Sequence, residues 1–241
     1  MAGTSIALKS ILKNNVKTIH IQNPKLSLNH FDLLLIPEHD RIKGQNVIQT
    51  KGALCFFEEK DIKKFKQPNL NKIKTKKNTV LLMVGGNSKK QKPNNSEYFE
   101  LSTKVIQGVK NLNAQLIVTV SRRTPNKAIK ILQSTFSKHL SDFKILSSDE
   151  NNLYPKILEI IDYAIVTSDS VNMISELATL SKPLFIFHFS KENKKISFFI
   201  SNLKELNIVQ DYHGYLFKYG KSKLQTNKIT ILQINKFFGF K

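Results

Sequence analysis

Short apolar runs alternate with stretches of helical periodicity along most of the chain. Residues 18–21, 33–36, 47–49, 80–84, 116–120, 143–146, 164–167 and 184–187 read as strands. Residues 6–12, 58–66, 96–112, 125–140, 154–161, 171–180, 196–206 and a last segment near 229–237 read as helices. Strands separated by helices of about 10 to 15 residues predict parallel sheets joined by right-handed crossovers. The expected fold class is therefore α/β, with two Rossmann-like parallel-sheet lobes, the first one incomplete.

One segment breaks the alternation. KKFKQPNLNKIKTKKN (63–78) is polar, basic and without either period, so it reads as a linker. It divides a first part with about three strands (1–77 with the linker) from a fuller lobe at 78–225. Residues 226–241 form a last helix, expected to pack back on the first lobe. The opening segment, residues 4–14, reads as an amphipathic helix with Leu8, Ile11 and Leu12 on one face, Ala7 beside them and Ile6 at the edge. Lys9, Lys13 and Lys17, with no acid before Asp32, superficially resemble a transit peptide. No signal-peptide core accompanies them, so the helix is taken as structural and the protein as cytoplasmic.

Composition changes the picture in three places. The 241 residues include a single cysteine, Cys55, which cannot form an internal disulfide and fits a reducing compartment. No apolar run approaches the roughly 20 residues of a membrane-spanning helix. The net charge is +20, which invites a nucleic-acid or anionic-membrane reading. Lysine is spread along the whole chain, however, and accompanies much Asn and Ile, as an AT-rich coding sequence would produce. Nucleic acid is therefore not adopted as partner, while a small anionic ligand would still gain from the field. Only three of the 38 basic residues are arginines, and two are adjacent, Arg122-Arg123. Arginine kept among so many lysines suggests a need for its planar, bidentate fork at a phosphate or carboxylate.

In open parallel sheets, ligands bind outside the carboxyl ends of the strands. Three such ends in the second lobe carry polar turns. After 80–84 come Gly85, Gly86, Asn87 and Ser88, where glycines allow backbone amides to approach a ligand. After 116–120 come Ser121, Arg122, Arg123 and Thr124, with Thr124 expected as N-cap of a helix opening at Pro125. After 164–167 come Ser168, Asp169 and Ser170, with Asp169 or Ser170 capping a helix that carries Met173 and Glu176. Free N–H groups at that helix start suit a diphosphate, and a helical carboxylate suits the two hydroxyls of a ribose. Each turn alone is equally a plain polar turn. Their coincidence on one rim points to a ligand cleft. In the first part, Glu38, His39 and Asp40 follow the strand at 33–36, a candidate general acid/base cluster. Lys51, Gly52 and Ala53 follow the next strand and are further rim candidates.

Seven ordered blocks, IHIQNP, FDLLLIPEHD, TKGAL, VGGNSKK, LIVTVSRRTP, NNLYPKILEIIDYAIVTSDSVNMISELATLSKP and FFISNLKELNIV, together resemble the mitochondrial fission "elongated mitochondria" family. The second lobe is similar to the nucleotide-binding lobe of GT-B glycosyltransferases, such as the one adding N-acetylglucosamine in peptidoglycan synthesis. That resemblance implies a nucleoside-diphosphate sugar as ligand, the diphosphate at Gly85-Gly86-Asn87-Ser88 and Ser168-Asp169-Ser170, and the ribose at Glu176. It implies glycosyl transfer with His39, assisted by Glu38 or Asp40, as acceptor-side base. Arg122 and Arg123 would offset leaving-group charge. A lipid-linked acceptor or an anionic membrane surface is a further partner under this reading. No separate cofactor and no metal are implied; a DxD motif is absent. The resemblance also implies a further segment, with a TDGKPGH-type loop, ahead of the present start. The rival reading is a non-enzymatic adapter, or a relict transferase fold serving as a binding surface. Bacterial members of the family are often labelled nucleoside-diphosphate-sugar epimerases. The short-chain epimerase pattern is not expected here: a GxxGxxG turn is absent, and Tyr154 and Tyr163 have Leu158 and Thr167, not Lys, four residues on.

Overall fold

The computed structural model describes residues 2–56, 59–62, 78–89, 91–146 and 153–240. Of the expected linker, 63–77 lies outside the described residues, as do positions 58 and 63–66 of the helix expected at 58–66. The chain divides into two units, one of residues 1–55 with 225–241 and one of residues 56–224.

In the smaller unit, helix α1 (Ala2–Leu12) precedes strands β1 (Ile19–Ile21), β2 (Leu33–Pro37) and β3 (Val47–Thr50). The three strands are parallel, in the order β1-β2-β3. β2 is central, and Leu33–Ile36 is buried throughout, because a middle strand has both faces covered. The core is small: Phe31, Leu34 and Ile36, with Ala2, Ile6, Leu28, Ile42 and Val47 packed against it.

That arrangement corrects the expected face of the first helix. α1 docks through Ala2 and Ile6, an i, i+4 pair, while Leu8 and Leu12 are exposed and Ile11 keeps 74% of its surface. The periodicity located a real apolar stripe, but the sheet accepts a different one. The Lys9 ammonium reaches Asp32 at 3.0 Å. Asp32 in turn accepts from the Thr18 N–H (2.7 Å) and hydroxyl (2.9 Å), tying the helix to the start of the sheet.

The larger unit holds α2 (Glu59–Ile62), β4 (Thr79–Val84), α3 (Asn95–Asn111), β5 (Gln115–Val120), α4 (Asn126–His139), β6 (Phe143–Ile145), α5 (Tyr154–Ile160), β7 (Tyr163–Thr167), α6 (Val171–Ala178), β8 (Leu184–Phe187), α7 (Lys194–Glu205) and β9 (Gln210–Asp211). Helix α8 (Thr226–Phe238) belongs to the smaller unit, where the Thr226 hydroxyl donates to the Lys51 carbonyl and Asn227 exchanges hydrogen bonds with the Cys55 backbone.

All six strands of the larger sheet are parallel, in the order β6-β5-β4-β7-β8-β9. Counted from the first strand of the unit, this is the doubly wound order 3-2-1-4-5-6. β4, β7 and β8 are buried at every position, which explains why they read as unbroken apolar runs rather than alternating ones. Odd and even positions nevertheless serve different layers. Leu81, Met83, Ala164 and Val166 face one core with α5, α6 and α7; Val80, Leu82, Val84 and Ile165 face the other with α3 and α4.

Helix starts are set locally. Asn94 caps α3 in a reciprocal box with Glu97, the Glu97 N–H donating to Asn94 Oδ1 (3.0 Å) and the Asn94 N–H to Glu97 Oε2 (2.8 Å). At α4 the expected cap is wrong. Pro125 takes the N-cap position without a side-chain bond, and Thr124 faces the neighbouring strand end instead.

Candidate functional site

A doubly wound sheet opens a crevice where the strand order reverses, because the crossovers on either side leave in opposite directions. In this sheet that point lies between β4 and β7. β4 runs into Gly85-Gly86 and β7 into Ser168-Asp169-Ser170, so two of the three expected turns flank the switch point. The third, Ser121–Thr124, follows β5 on the other side of β4.

Asp169 joins all three. Its carboxylate has no exposed surface. It accepts from the Gly86 N–H (2.9 Å), the Thr167 hydroxyl (2.7 Å) and Arg123 Nη2 (3.3 Å). The Thr167 hydroxyl in turn accepts from the Gly85 N–H at 2.8 Å. The expectation that Asp169 could serve as helix cap gives way to this role: Ser170 is the cap of α6, accepting from the Met173 N–H at 3.5 Å. Burial raises the Asp169 pKa, opposed by the Thr167 and Gly86 hydrogen bonds and the Arg123 charge, and the net direction is upward.

The two glycines are required by contact. A Cβ on Gly85 would stand 2.0 Å from Asp169 Oδ1, and one on Gly86 would stand 2.1 Å from the Arg123 carbonyl oxygen. The same carbonyl accepts from the Asn87 N–H at 3.0 Å. Thr124 completes the brace: its hydroxyl lies 2.8 Å from the Gly85 carbonyl and 3.1 Å from that of Val84, and it accepts from the Ser121 N–H at 3.0 Å. Ser88 is held within its own loop, its N–H donating to the Gln91 carbonyl at 2.8 Å.

The two arginines part company. Arg123 reaches back over the glycine turn, with Nη1 3.4 Å from the Asn87 carbonyl and Nη2 on Asp169. Arg122 is exposed. Ser168 is fully buried, its hydroxyl accepting from the Phe189 N–H at 3.2 Å. Asn87 is exposed, while Ser170, Met173 and Glu176 are partly buried. Burial pushes the Glu176 pKa up, against one hydrogen bond from Tyr154 that lowers it. The Tyr154 hydroxyl lies 3.9 Å from Met83 Sδ, near the carboxyl end of β4.

Sequence reasoning missed a second cluster on the rim. His188, directly after β8, has Nδ1 2.5 Å from Glu192 Oε1 and Nε2 2.8 Å from Asp211 Oδ1. Asp211 also takes Lys204 Nζ at 2.5 Å. Burial alone would depress the imidazole pKa, but the hydrogen bonds and charges of the two acids outweigh it and raise it. Only the spacing His188–Glu192, i to i+4 across a non-helical turn, was available in the sequence; Asp211 arrives through β9, a two-residue strand with no sequence signal.

In the smaller unit Glu38, His39 and Asp40 form a helical turn at the end of β2, closed by Arg41 in the left-handed region at φ 56°. Lys51 and Gly52 are engaged at the end of β3, where the Thr50 hydroxyl donates to the Gly52 carbonyl at 2.7 Å. One Tyr-x-x-x-Lys spacing does exist, Tyr219 to Lys223, contrary to the expected absence of the pattern. Both members are structural: the Tyr219 hydroxyl bonds the backbone of Leu184 and Ile208, and Lys223 pairs with Glu59.

Two parallel-sheet lobes, the larger wound 3-2-1-4-5-6 with a glycine turn at its switch point, define a GT-B-like α/β protein. By TM-score 0.53, the fold is that of the UDP-GlcNAc 2-epimerase of Neisseria meningitidis, solved with UDP-GlcNAc bound; the match is 11% identical and covers 99% of this chain and 66% of that one. Acinetobacter baumannii MurG matches with a TM-score of 0.50 at 12% identity, over 98% of this chain and 63% of that one. At such identities the likeness is one of fold. The chain belongs to the mitochondrial fission ELM1 family, whose model matches residues 2–231. Relatives are the uncharacterized protein RP120 of Rickettsia prowazekii (27% identical over 232 residues, 83% of this chain) and the mitochondrial fission protein ELM1 of Arabidopsis thaliana (22% over 232 residues, 87% of this chain). The matches span 66% and 54% of those proteins' lengths. Among the described residues no helix is long and apolar enough to cross a membrane.

Proposed function

We propose that the protein binds a nucleoside-diphosphate sugar at the β4/β7 switch point and transfers its glycosyl group. The diphosphate lies against the Gly85–Ser88 turn and the N-terminus of α6, with Arg122 and Arg123 offsetting its charge, and Glu176 accepts the ribose hydroxyls. The observation that carries the reading is Glu176 itself. It is a partly buried carboxylate on α6, the helix that follows β7, and burial raises its pKa. Such a group is costly in the free protein, and paired ligand hydroxyls would satisfy it. In transfer, an acceptor oxygen would bond to the anomeric carbon as the bond to the diphosphate breaks. The acceptor proton would pass to a base, a role for which His39, with Glu38 or Asp40, is the candidate in the smaller unit. Electrostatic stabilisation of the leaving diphosphate is the main demand on such a site. A lipid-linked acceptor or an anionic membrane surface belongs to this proposal as partner.

Two other readings rest on specific findings. Membership of a mitochondrial fission family favours a non-enzymatic adapter. The fold shared with a UDP-GlcNAc 2-epimerase favours epimerisation of the bound sugar. Thermal stabilisation by UDP, GDP, ADP and their sugars, in the wild type and in Glu176→Ala, tests the common premise. A shift with one nucleotide that disappears in the variant supports it; no shift with any nucleotide sinks both enzyme readings and leaves the adapter. Product analysis then separates transfer, which needs an acceptor, from epimerisation, which does not.

A further inference from the structure

His188 follows the last residue of β8 and stands between two carboxylates. Its Nδ1 lies 2.5 Å from Glu192 Oε1, on the segment leading to α7, and its Nε2 lies 2.8 Å from Asp211 Oδ1, on β9. Each acid has a second partner on α7. Glu192 Oε2 accepts from the Ser197 hydroxyl at 3.0 Å, and Asp211 Oδ2 accepts from Lys204 Nζ at 2.5 Å. A third carboxylate, Glu97 at the start of α3, fastens the same segment from the other side, accepting from the Ser190 N–H (2.8 Å) and hydroxyl (2.9 Å). Glu192 and Asp211 thus face the imidazole, Lys204 stands behind Asp211, and Glu97 meets the segment at Ser190.

The geometry dictates the charge on this ring. An ionised carboxylate only accepts, so both ring nitrogens must donate, and an imidazole has two N–H groups only when protonated. In the neutral ring one nitrogen carries a lone pair, which would face a carboxylate oxygen at hydrogen-bonding distance. One of the two contacts has to open when the proton leaves. The consequence reaches the switch point through Ser168. The Ser168 N–H donates to the Phe187 carbonyl at 2.9 Å, and its hydroxyl accepts from the Phe189 N–H at 3.2 Å. The residues on either side of His188 are therefore both fastened to Ser168. Ser168 in turn precedes Asp169, which joins the glycine turn to Arg123.

We propose that His188 is a positioning residue for this rim and acts as a pH-sensitive latch: the imidazolium clamps segment 188–193 to β9 and holds it beside Ser168, and loss of the proton opens one contact and loosens the segment against the switch point. The inference rests on the nucleotide reading only for the ligand that reports on the site; the latch itself stands on the two contacts. Burial depresses the imidazole pKa, but the two acids outweigh it and raise it. The latch is therefore complete below the ordinary value of 6.5 and released as pH rises through the folded value. Glu192 and Asp211 carry lowered pKa values and stay ionised throughout that interval.

Nitrogen-15 NMR of the His188 ring without ligand, between about pH 6 and pH 9, reads its protonation. Amide hydrogen exchange over the same interval reads the segment, and UDP affinity by calorimetry reads the site. The expected result is a ring with both nitrogens protonated at pH 6.5 and a midpoint above that value. Across the midpoint, protection of the Phe189 and Ser190 amides should fall about fivefold, the size of a partly exposed charge pair, while β4 amides keep theirs. UDP affinity should fall over the same interval. His188→Gln, with one donor group and no charge, should show the released protection at every pH. His188→Lys, whose ammonium stays charged over the interval, should keep protection and affinity flat. A ring that is singly protonated throughout, or protection that ignores the midpoint, would overturn the proposal. Protection that falls while UDP affinity stays constant would overturn the link from latch to site. A latch that titrates as expected in a protein that binds UDP at no pH would support the latch and count against the nucleotide reading alone.

Discussion

The Gly86 amide nitrogen lies 2.9 Å from Asp169 Oδ2, across the point where the strand order of the larger sheet reverses. Through that contact the turn after β4 and the turn after β7 become one structure. Asp169→Ala would leave the Gly86 N–H, the Thr167 hydroxyl and Arg123 each short of an acceptor. Loss of about 2–4 kcal/mol is expected in urea unfolding. Gly85→Ala should destabilise by about 1–3 kcal/mol, because its Cβ would collide with the same carboxylate and one of the two must move.

The pKa of Asp169 is raised too, but its carboxylate holds three donors, whereas Glu176 has no such set among the described residues and its substitution should act in the other direction. Its folded pKa is raised, so the folded protein binds more protons than the unfolded chain above the ordinary value of 4.5. Stability from this group therefore falls as pH rises through that window and stays reduced at neutral pH. Glu176→Gln should raise stability at pH 7 by on the order of 1 kcal/mol while removing stabilisation by nucleotide, a trade expected of a binding residue. Differential scanning calorimetry with and without UDP measures both effects. A variant that loses stability would show that the carboxylate is structural.

His188 gives the protein a second pH dependence. Its raised pKa makes the contribution complete below 6.5 and lost as pH rises through the folded value. Glu192 and Asp211 have lowered pKa values. Burial opposes that shift, but their hydrogen bonds and charge pairs outweigh it, so their contribution is complete above 4.5 and lost in acid. The network is thus strongest between about 4.5 and 6.5. His188→Gln should flatten the decline in Tm between pH 6.5 and 8, with a stability difference no larger than about 1 kcal/mol because the imidazole is partly exposed and its pairs are screened.

Arg122 and Arg123 are adjacent yet unequal. Arg123→Ala breaks the contacts to Asp169 and Asn87 and should cost about 0.5–1 kcal/mol, modest because the guanidinium is partly exposed. It should also weaken UDP binding about tenfold, the loss of one charge-assisted contact. Arg122→Ala should leave unfolding within about 0.5 kcal/mol of wild type. Equal effects of the two substitutions on unfolding would show that the Arg123 bridge contributes nothing.

Much of the strand and helix pattern was legible because buried parallel strands are apolar at every position. β4, β7 and β8 stand out for that reason. Glycines, serines and arginines at the strand ends marked the rim. What the pattern could not convey was which polar group meets which. Asp169 read, beside Ser170, as a possible helix cap because its nearest backbone partners are local, whereas its carboxylate oxygens serve residues 83 and 46 positions away. Thr124 read as a cap for the same reason and turned out to bind the carbonyls of another strand end.

The sequence by itself determined the fold class, the order of strands and helices and the location of the polar turns, since these follow from periodicity and from residue types that act locally. The tertiary structure decided the rest. Strand order placed the reversal between β4 and β7, and packing chose Ala2 and Ile6 over Leu8, Ile11 and Leu12 as the inner face of α1. It also gathered His188, Glu192 and Asp211 on one rim. Each of these depends on side chains far apart in the chain meeting at distances of a few ångströms, and no local pattern of hydrophobic and polar positions records such meetings.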